Sequence, residues 1–530
     1  MSQLNRRFTP IHALLLSING ILGSAWLFAP LYAAKIAGPT AIIAWLLGGA
    51  ATVLIAFTFA ELSSLLPVAG GTTRFPQLSH GAITSFIISW VSWLSCVTMP
   101  PIEVQATLQY ASIYFPWLTH IVHGVPQLTS IGLLFATLLM FILCIINVVS
   151  MKGLIRFNFL IFIFKISIIV LTIIMLMTTS FHTANFADMK NAWTMSGWQA
   201  ILTAVASGGI AFAFTGFKHG VELAGETKNS ALAIPLAIIG SVVCCLVLYL
   251  GLQIAFIGAL NPAAINHGWN SLNYVGDTGP FVGIAILLGL GWLAKLLYFD
   301  AVASPLGAGL IYVTSTSRII YAMSKNGYLP PTFSRLNQQH LPVWAIGLNF
   351  VIGMFLFLPL PGWQAMVSFL VSAVVISYAM GPIALVCLRL QLPDEKRSFR
   401  LPAATPICLL GFYCCNLISY WTGWETISKL SIAIAIGISL LAIACWRGSL
   451  DKTQLGWKAL LWLVPYFAGL MTISYLGSFG GKNIITFGWD FLVIALFSIG
   501  IMLLAVISRL RSTTAAQFLA CREEEVYSTS

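Results

Sequence analysis

Few groups in this chain can do chemistry, and most of them sit where charge is expensive. Three lysines, Lys165, Lys218 and Lys295, and two acids, Glu103 and Asp300, fall inside long apolar stretches or at their edges. Lys165 has apolar runs on both sides, and a fixed charge in such a setting costs several kcal/mol. A group placed there needs a partner of opposite charge or a proton to give up. Glu103, which follows Met99-Pro100-Pro101, and Asp300, within Tyr298-Phe299-Asp300-Ala301, are candidates for both roles. Two further stretches stand out for small residues inside apolar runs. One is Ser17-Ile18-Asn19-Gly20-Ile21-Leu22-Gly23-Ser24-Ala25; the other is Ser207-Gly208-Gly209, followed by Phe212-Ala213-Phe214-Thr215-Gly216-Phe217. A helix interrupted there frees N–H groups, which favour an anion, and carbonyls, which favour an ammonium. A zwitterionic amino acid supplies both. Close helix packing through small residues is the alternative reading of the same glycines.

The elements that must hold these groups follow from composition. Of 530 residues, 59% are hydrophobic and 8% charged. A soluble domain carries about 25% charged residues, so the solvent for most of this chain is lipid. Apolar runs of roughly 20 residues, enough to cross a hydrocarbon core about 30 Å thick, follow one another from Ile11 to Ile507. That pattern excludes a peripheral protein with one anchor, and it disfavours an outer-membrane barrel of short alternating strands. The net charge of +11 is not gathered into a nucleic-acid groove. The ten cysteines read mainly as buried small hydrophobes, and the histidines His12, His80, His120, His123, His182, His267 and His340, with no metal spacing, as interfacial or loop residues.

Punctuation by Gly, Pro and charge predicts about fourteen spans, near 11-33, 40-61, 82-113, 128-150, 155-179, 197-221, 233-259, 281-313, 342-360, 364-389, 402-421, 428-446, 458-477 and 485-508. Alternate loops then differ in charge. One side holds most cations, among them Arg6, Arg7, Lys152, Arg156, Arg318, Arg389, Arg397, Arg447 and Arg509, while the other holds Lys35, Lys190, Lys429 and Lys482. The positive-inside rule predicts both termini in the cytoplasm.

Several motifs, in order along about the first ten spans, resemble one family. Gly20-Ile21-Leu22-Gly23-Ser24-Ala25 is similar to the first-helix glycine signature of amino acid-polyamine-organocation (APC) permeases. Glu61-Leu62 with Pro67-Val68-Ala69-Gly70-Gly71 resembles the end of their second helix. Ala213-Phe214-Thr215-Gly216-Phe217, with Ala224-Gly225-Glu226-Thr227-Lys228-Asn229, resembles their sixth helix and the loop after it, and Ser317-Arg318-Ile319-Ile320-Tyr321-Ala322-Met323 their loop after the eighth. The extra spans look like a subgroup resembling bacterial aspartate/proton symporters. The resemblance implies an all-α polytopic membrane protein with a five-plus-five inverted repeat. The first repeat would cover 11-179 and the second 197-389, with additional helices over 402-508 and cytoplasmic tails over 1-10 and 509-530.

By position in that family, a substrate carboxylate would meet backbone around Gly20, Gly23, Ser24 and Ala25. Its ammonium would meet carbonyls around Ile18 and near Phe212 and Thr215, with Phe212 as the gating aromatic. Ala25 departs from the usual third glycine of the signature. Lys218 stands where many relatives have a glutamate, which favours an acidic substrate; the alternatives are a lysine that snorkels or pairs with Glu222. The resemblance makes Lys165 the carrier of the coupling proton, a fixed pair or a snorkelling cation being the alternative, while Asp300 and Glu103, the other acids within spans, could each carry a proton or pair with a lysine. It suggests gate or loop contacts for Glu61 and Glu226, at cytoplasmic helix ends, with cations such as Arg318; a plain surface role is the alternative. The expected function is secondary transport of an acidic or neutral amino acid with a proton across a plasma (bacterial inner) membrane, by a monomer or weak homo-oligomer. An amino acid/amine exchanger and a transport-inactive sensor are the rivals. No enzyme motif, metal site, cofactor or nucleic-acid partner is expected.

Overall fold

The computed structural model describes residues 9–66, 71–122, 125–149, 151–222, 230–272, 279–337, 341–358, 360, 362–446 and 455–517. The apolar runs fold as helices, since in lipid only a backbone that pairs with itself leaves no polar group bare. In chain order these are α1 (Pro10–Ile21), α2 (Ala25–Ala37), α3 (Ala41–Leu65), α4 (Gly71–His80), α5 (Ala82–Ala111), α6 (Ser130–Val149) and α7 (Met151–Thr179). Then come α8 (Met195–Ser207), α9 (Ile210–Ala213), α10 (Lys218–Glu222), α11 (Ser230–Pro235), α12 (Ser241–Ala259), α13 (Pro280–Leu287), α14 (Gly291–Lys325), α15 (Val343–Leu356) and α16 (Trp363–Gln391). The last four are α17 (Ala404–Trp421), α18 (Trp424–Trp446), α19 (Leu460–Leu476) and α20 (Trp489–Ser508). One small antiparallel hairpin, Thr119–Val122 against Val125–Leu128 with His120 opposite Gln127, joins α5 to α6.

Among the described residues, 12 helical segments are long and apolar enough to cross a membrane, and two shorter apolar helices, Pro10–Ile21 and Val343–Leu356, accompany them. The difference from the expected count has a local cause. The first expected span is cut after Ile21, α2 and α3 follow each other through a short turn at Gly38, and α15 is only 14 residues long. Burial separates inner from outer helices. In α5 and α16, 94% of the most apolar stretch is covered by protein, against 28% in α18 and 33% in α20, so α5 and α16 form the centre and the last helices face lipid. α5 packs along α14 and α16, and α17 joins the periphery to the centre by packing on α16 and α3.

The C-terminal helices are also tied to the centre by hydrogen bonds. The His80 ring accepts or donates at 2.9 Å to Ser79 Oγ and donates at 2.9 Å to the Ala505 carbonyl, while Gln391 donates to the carbonyls of Ser79 and Leu510 at 3.1 and 2.8 Å. His80 is therefore no loop residue: it is fully buried at the end of α4 against Trp462. Asp490, an acid the sequence reading passed over, is buried and satisfied by the N–H groups of Gly488 and Phe491 and the hydroxyls of Tyr420 and Ser478.

Candidate functional site

The first interrupted helix is held at both sides of its break by charged side chains from other helices. α1 closes with the Leu22 N–H on the Ile18 carbonyl at 3.0 Å, and α2 opens at Ser24, whose carbonyl accepts from Leu27 at 3.1 Å. Between them the Leu22 backbone is non-helical, which turns its carbonyl away from any intrahelical donor. The Lys165 ammonium, from α7, donates to that carbonyl and, at 3.4 Å, to Asn19 Oδ1. On the other side the Ser24 N–H donates to the Glu103 carboxylate of α5, at 3.0 Å to Oε2 and 3.3 Å to Oε1. Cation on carbonyls and anion on a helix start both follow the helix dipole. Gly23 is required for the fit, because a β-carbon there would lie 2.6 Å from Glu103 Oε1. Asp300 on α14 is buried, accepts from Ser304 Oγ at 2.7 Å, and with Glu103 supplies the carboxylate charge felt by Lys165.

The second interruption lies across the first. α8 ends at Ser207, Gly209 turns the chain in the left-handed region (φ +91°), and α9 restarts one residue later. A side chain at Gly209 would also press on the Trp363 ring and Ala29. After α9 a tight turn over Thr215–Phe217 brings Gly216 against the Gly20 carbonyl, so closely that any β-carbon would overlap it. Tyr249 OH lies 3.3 Å from the carbonyls of both Ile21 and Ala213 and so joins the two breaks. Tyr378 OH donates to the Thr215 carbonyl at 2.6 Å, and Thr215 Oγ1 to the Phe212 carbonyl at 2.8 Å.

Where the breaks meet there is a cavity lined by Gly20, Ile21, Gly23, Met99, Glu103, Phe212, Thr215, Ala308 and Tyr312. The space open to the centre of a water molecule is about 10 Å³, room for about one water. Further rings pack behind the Phe212 and Thr215 that line it. Trp363, at the start of α16, stacks on Tyr32 (5.4 Å between centroids), meets Phe212 edge-on at 5.7 Å, and donates to Ser24 Oγ at 3.1 Å. Beyond Thr215, Phe217 and Tyr378 pack at 4.9 Å.

Of the residues expected at a substrate site, Gly20, Gly23, Phe212 and Thr215 line the cavity, and Glu103 joins them. Ser24 and Ala25 are buried at the start of α2, with Ser24 presenting its amide to Glu103. The Ile18 carbonyl accepts from Leu22 in the last turn of α1; at the break the Ile21 carbonyl accepts from Gly23 and Tyr249, and the Leu22 carbonyl from Lys165. Lys218 neither snorkels nor lines the cavity: it is 5% exposed and donates to Ser92 Oγ at 2.7 Å, with Cys96 Sγ at 3.6 Å, on α5. The Glu61 expectation is corrected in its partner. Glu61 is held not by Arg318, which is exposed, but by Arg389 at 2.7 and 2.8 Å, by Arg397 at 3.3 Å and by the Leu401 N–H at 2.7 Å. Glu226 lies outside the described residues. Sequence reasoning missed Trp363, Tyr312 and Tyr249. For the two tyrosines, a ring with a polar tip inside an apolar run was the available signal.

A scan for families matches residues 8–441 to the amino acid permease family. Among curated proteins, the chain is 39% identical over 511 residues to the glutamate/serine transporter AimA of Bacillus subtilis, covering 94% of this chain and 93% of that protein. It is 36% identical over 497 residues to the aspartate-proton symporter of the same organism, covering 92% and 94%, and 25% identical over 450 residues to its branched-chain amino acid permease BcaP. A match over most of the chain, a body of apolar helices and two crossed helix breaks point the same way: the chain belongs to the amino acid permease family and is an integral membrane amino acid transporter.

Proposed function

We propose that this protein imports an acidic or neutral amino acid together with a proton, by alternating access across the bacterial inner membrane. The observation that carries the reading is the first break, where an ammonium rests on the Leu22 carbonyl and the amide of Ser24 faces a carboxylate. Such a break is suited to a zwitterion, and a lysine on its carbonyls fills the kind of place a coupling cation would take. In this reading Lys165, Glu103 and Asp300 handle the proton. The substrate's α-carboxylate docks at the start of α2, and Phe212 and Trp363 close over it. The similarity to a glutamate/serine transporter and an aspartate-proton symporter supports both the substrate class and the coupling. Glu61, Arg389 and Arg397 form the cytoplasmic latch between α3 and α16. The same reading has fourteen crossings, with Pro10–Ala37 as the first, repeats over 11-179 and 197-389, helices added over 402-508, and both termini inside.

The test is uptake by purified protein in liposomes under an inside-alkaline pH gradient without sodium. Radiolabelled aspartate, glutamate, serine, leucine and arginine would be compared. Accumulation of aspartate, glutamate or serine that a protonophore abolishes is the expected result. Uptake only into vesicles preloaded with amino acid, whatever the gradient, would replace the reading by exchange.

A further inference from the structure

The amide that opens α2, where the reading above seats the substrate's α-carboxylate, already has a carboxylate on it. Both Glu103 oxygens lie within hydrogen-bond reach of the Ser24 N–H, at 3.0 and 3.3 Å, and the side chain is 1% exposed. Gly23 makes the approach possible by lacking a side chain. On the opposite side of the break, the Lys165 ammonium rests on the Leu22 carbonyl. The interrupted helix is thus liganded by one carboxylate and one ammonium, the two charges that an α-amino acid carries around its α-carbon. The two protein groups differ in one respect. Glu103 lines the cavity between the breaks and Lys165 does not, so Glu103 is the group that an incoming amino acid meets.

Two carboxylates cannot share one amide in so small and dry a space, because like charges at contact repel strongly where water is excluded. We propose that Glu103 is a built-in stand-in for the substrate's α-carboxylate, capping Ser24 when no substrate is bound and yielding that amide only as it takes up a proton. This rests on the reading of the break as the substrate site. The exchange balances: one N–H···O contact is given up and an equivalent one formed, one proton adds to the Glu103 carboxylate, and no covalent bond of the substrate changes. The groups facing Glu103 leave few other fates for its charge. Lys165 from α7 is the cation in range, Asp300 on α14 acts on that same lysine through space while bonded to Ser304, and Tyr249 from α12 and Tyr312 from α14 are neutral phenols. His219 packs on Tyr312, and Lys218 is engaged with Ser92. A Glu103 carboxylate that left Ser24 still charged would have to draw Lys165 off Leu22.

The consequence has an unusual sign: removing the charge of a buried group in the site strengthens substrate binding. The test measures equilibrium binding of radiolabelled glutamate, aspartate and serine to detergent-purified wild type, Glu103→Gln and Glu103→Asp at about pH 5.5 and 7.5. Proton-driven uptake in liposomes runs alongside. Because the competitor is neutralised at low pH, the wild type should bind about tenfold tighter at the lower pH. Glu103→Gln should bind about tenfold tighter than wild type at the higher pH, equally at both pH values, and no longer accumulate substrate when driven by a proton gradient. Glu103→Asp, whose carboxylate is drawn back from Ser24 by one methylene, should also bind tighter while keeping the pH dependence. If Glu103→Gln does not fold, the wild-type pH dependence and Glu103→Asp decide alone. Binding by the variants at about pH 7.5 that is equal to or weaker than that of wild type overturns the stand-in. Failure of the wild type to bind any of the three amino acids overturns the reading of the site itself, and the stand-in with it.

Discussion

The two interrupted helices satisfy their freed backbone by different means. At the first, the Leu22 carbonyl and the Ser24 amide are taken by Lys165 and Glu103, both carried by other helices and both titratable. At the second, among the described residues, the groups that close the break are neutral: Gln364 donates to the Ser207 carbonyl at 3.2 Å, the Gly209 carbonyl accepts from Ala213 at 2.9 Å, and Trp363 covers the turn with its ring. One break is therefore closed by titratable groups and the other by neutral ones. Charge in a lipid-buried site is costly unless partnered, whereas an aromatic ring carries little desolvation cost. The crossing point of the breaks, Gly20 against Gly216, belongs to both and tolerates neither charge nor bulk.

The largest effect is expected at that crossing. Gly216→Val puts two methyl groups into the Gly20 carbonyl and should destabilise the protein by about 3 kcal/mol or more, read as a lower unfolding temperature in detergent. Gly347→Ala on α15, where nothing lies within 4 Å of the added carbon, should leave that temperature unchanged. Next comes the charged break. Lys165→Ala strips the Leu22 carbonyl of its charged donor and should slow pH-gradient-driven uptake by about 10- to 100-fold and flatten its pH profile. Retained accumulation with the same pH dependence would remove the proton role and erase the distinction between the breaks. The smallest effect belongs to the neutral break. Trp363→Phe keeps the stack on Tyr32 but loses the bond to Ser24, worth about 1 kcal/mol, so the apparent KM should rise a few-fold with the pH profile unmoved. A shifted profile in this variant would mean that shape and charge are not separate there.

The residues themselves announced more of the first break than of the second. Glycines amid a long apolar run, with Lys165 buried in another, mark an interruption and a cation that needs an acceptor, and both are found. The glutamate that answers them was legible only as a buried acid. Nothing near Glu103 in sequence indicates that it caps Ser24, 79 residues away. Glu61 shows the same limit more strongly, since its guanidinium partner Arg389 is 328 residues distant and the nearer-seeming choice, Arg318, points to the outside. Trp363 was hidden for another reason: an aromatic residue at the start of a span reads as a membrane-interface anchor, and only packing turns it inward.

By itself the sequence determined that the chain lives in lipid, that helices carry it across, where two of them break, and that Lys165, Glu103 and Asp300 fall within apolar spans. These are properties of local composition and spacing, and lipid enforces them on each segment separately, because every stretch must satisfy its own backbone. Which helix lies beside which, and so which acid meets which amide, was decided only by the tertiary structure. In water a helix shows its inner face by the side on which apolar residues gather. In a membrane both faces are apolar, and the pairing of Lys165 with Leu22, Glu103 with Ser24 and Glu61 with Arg389 is settled by how the helices pack.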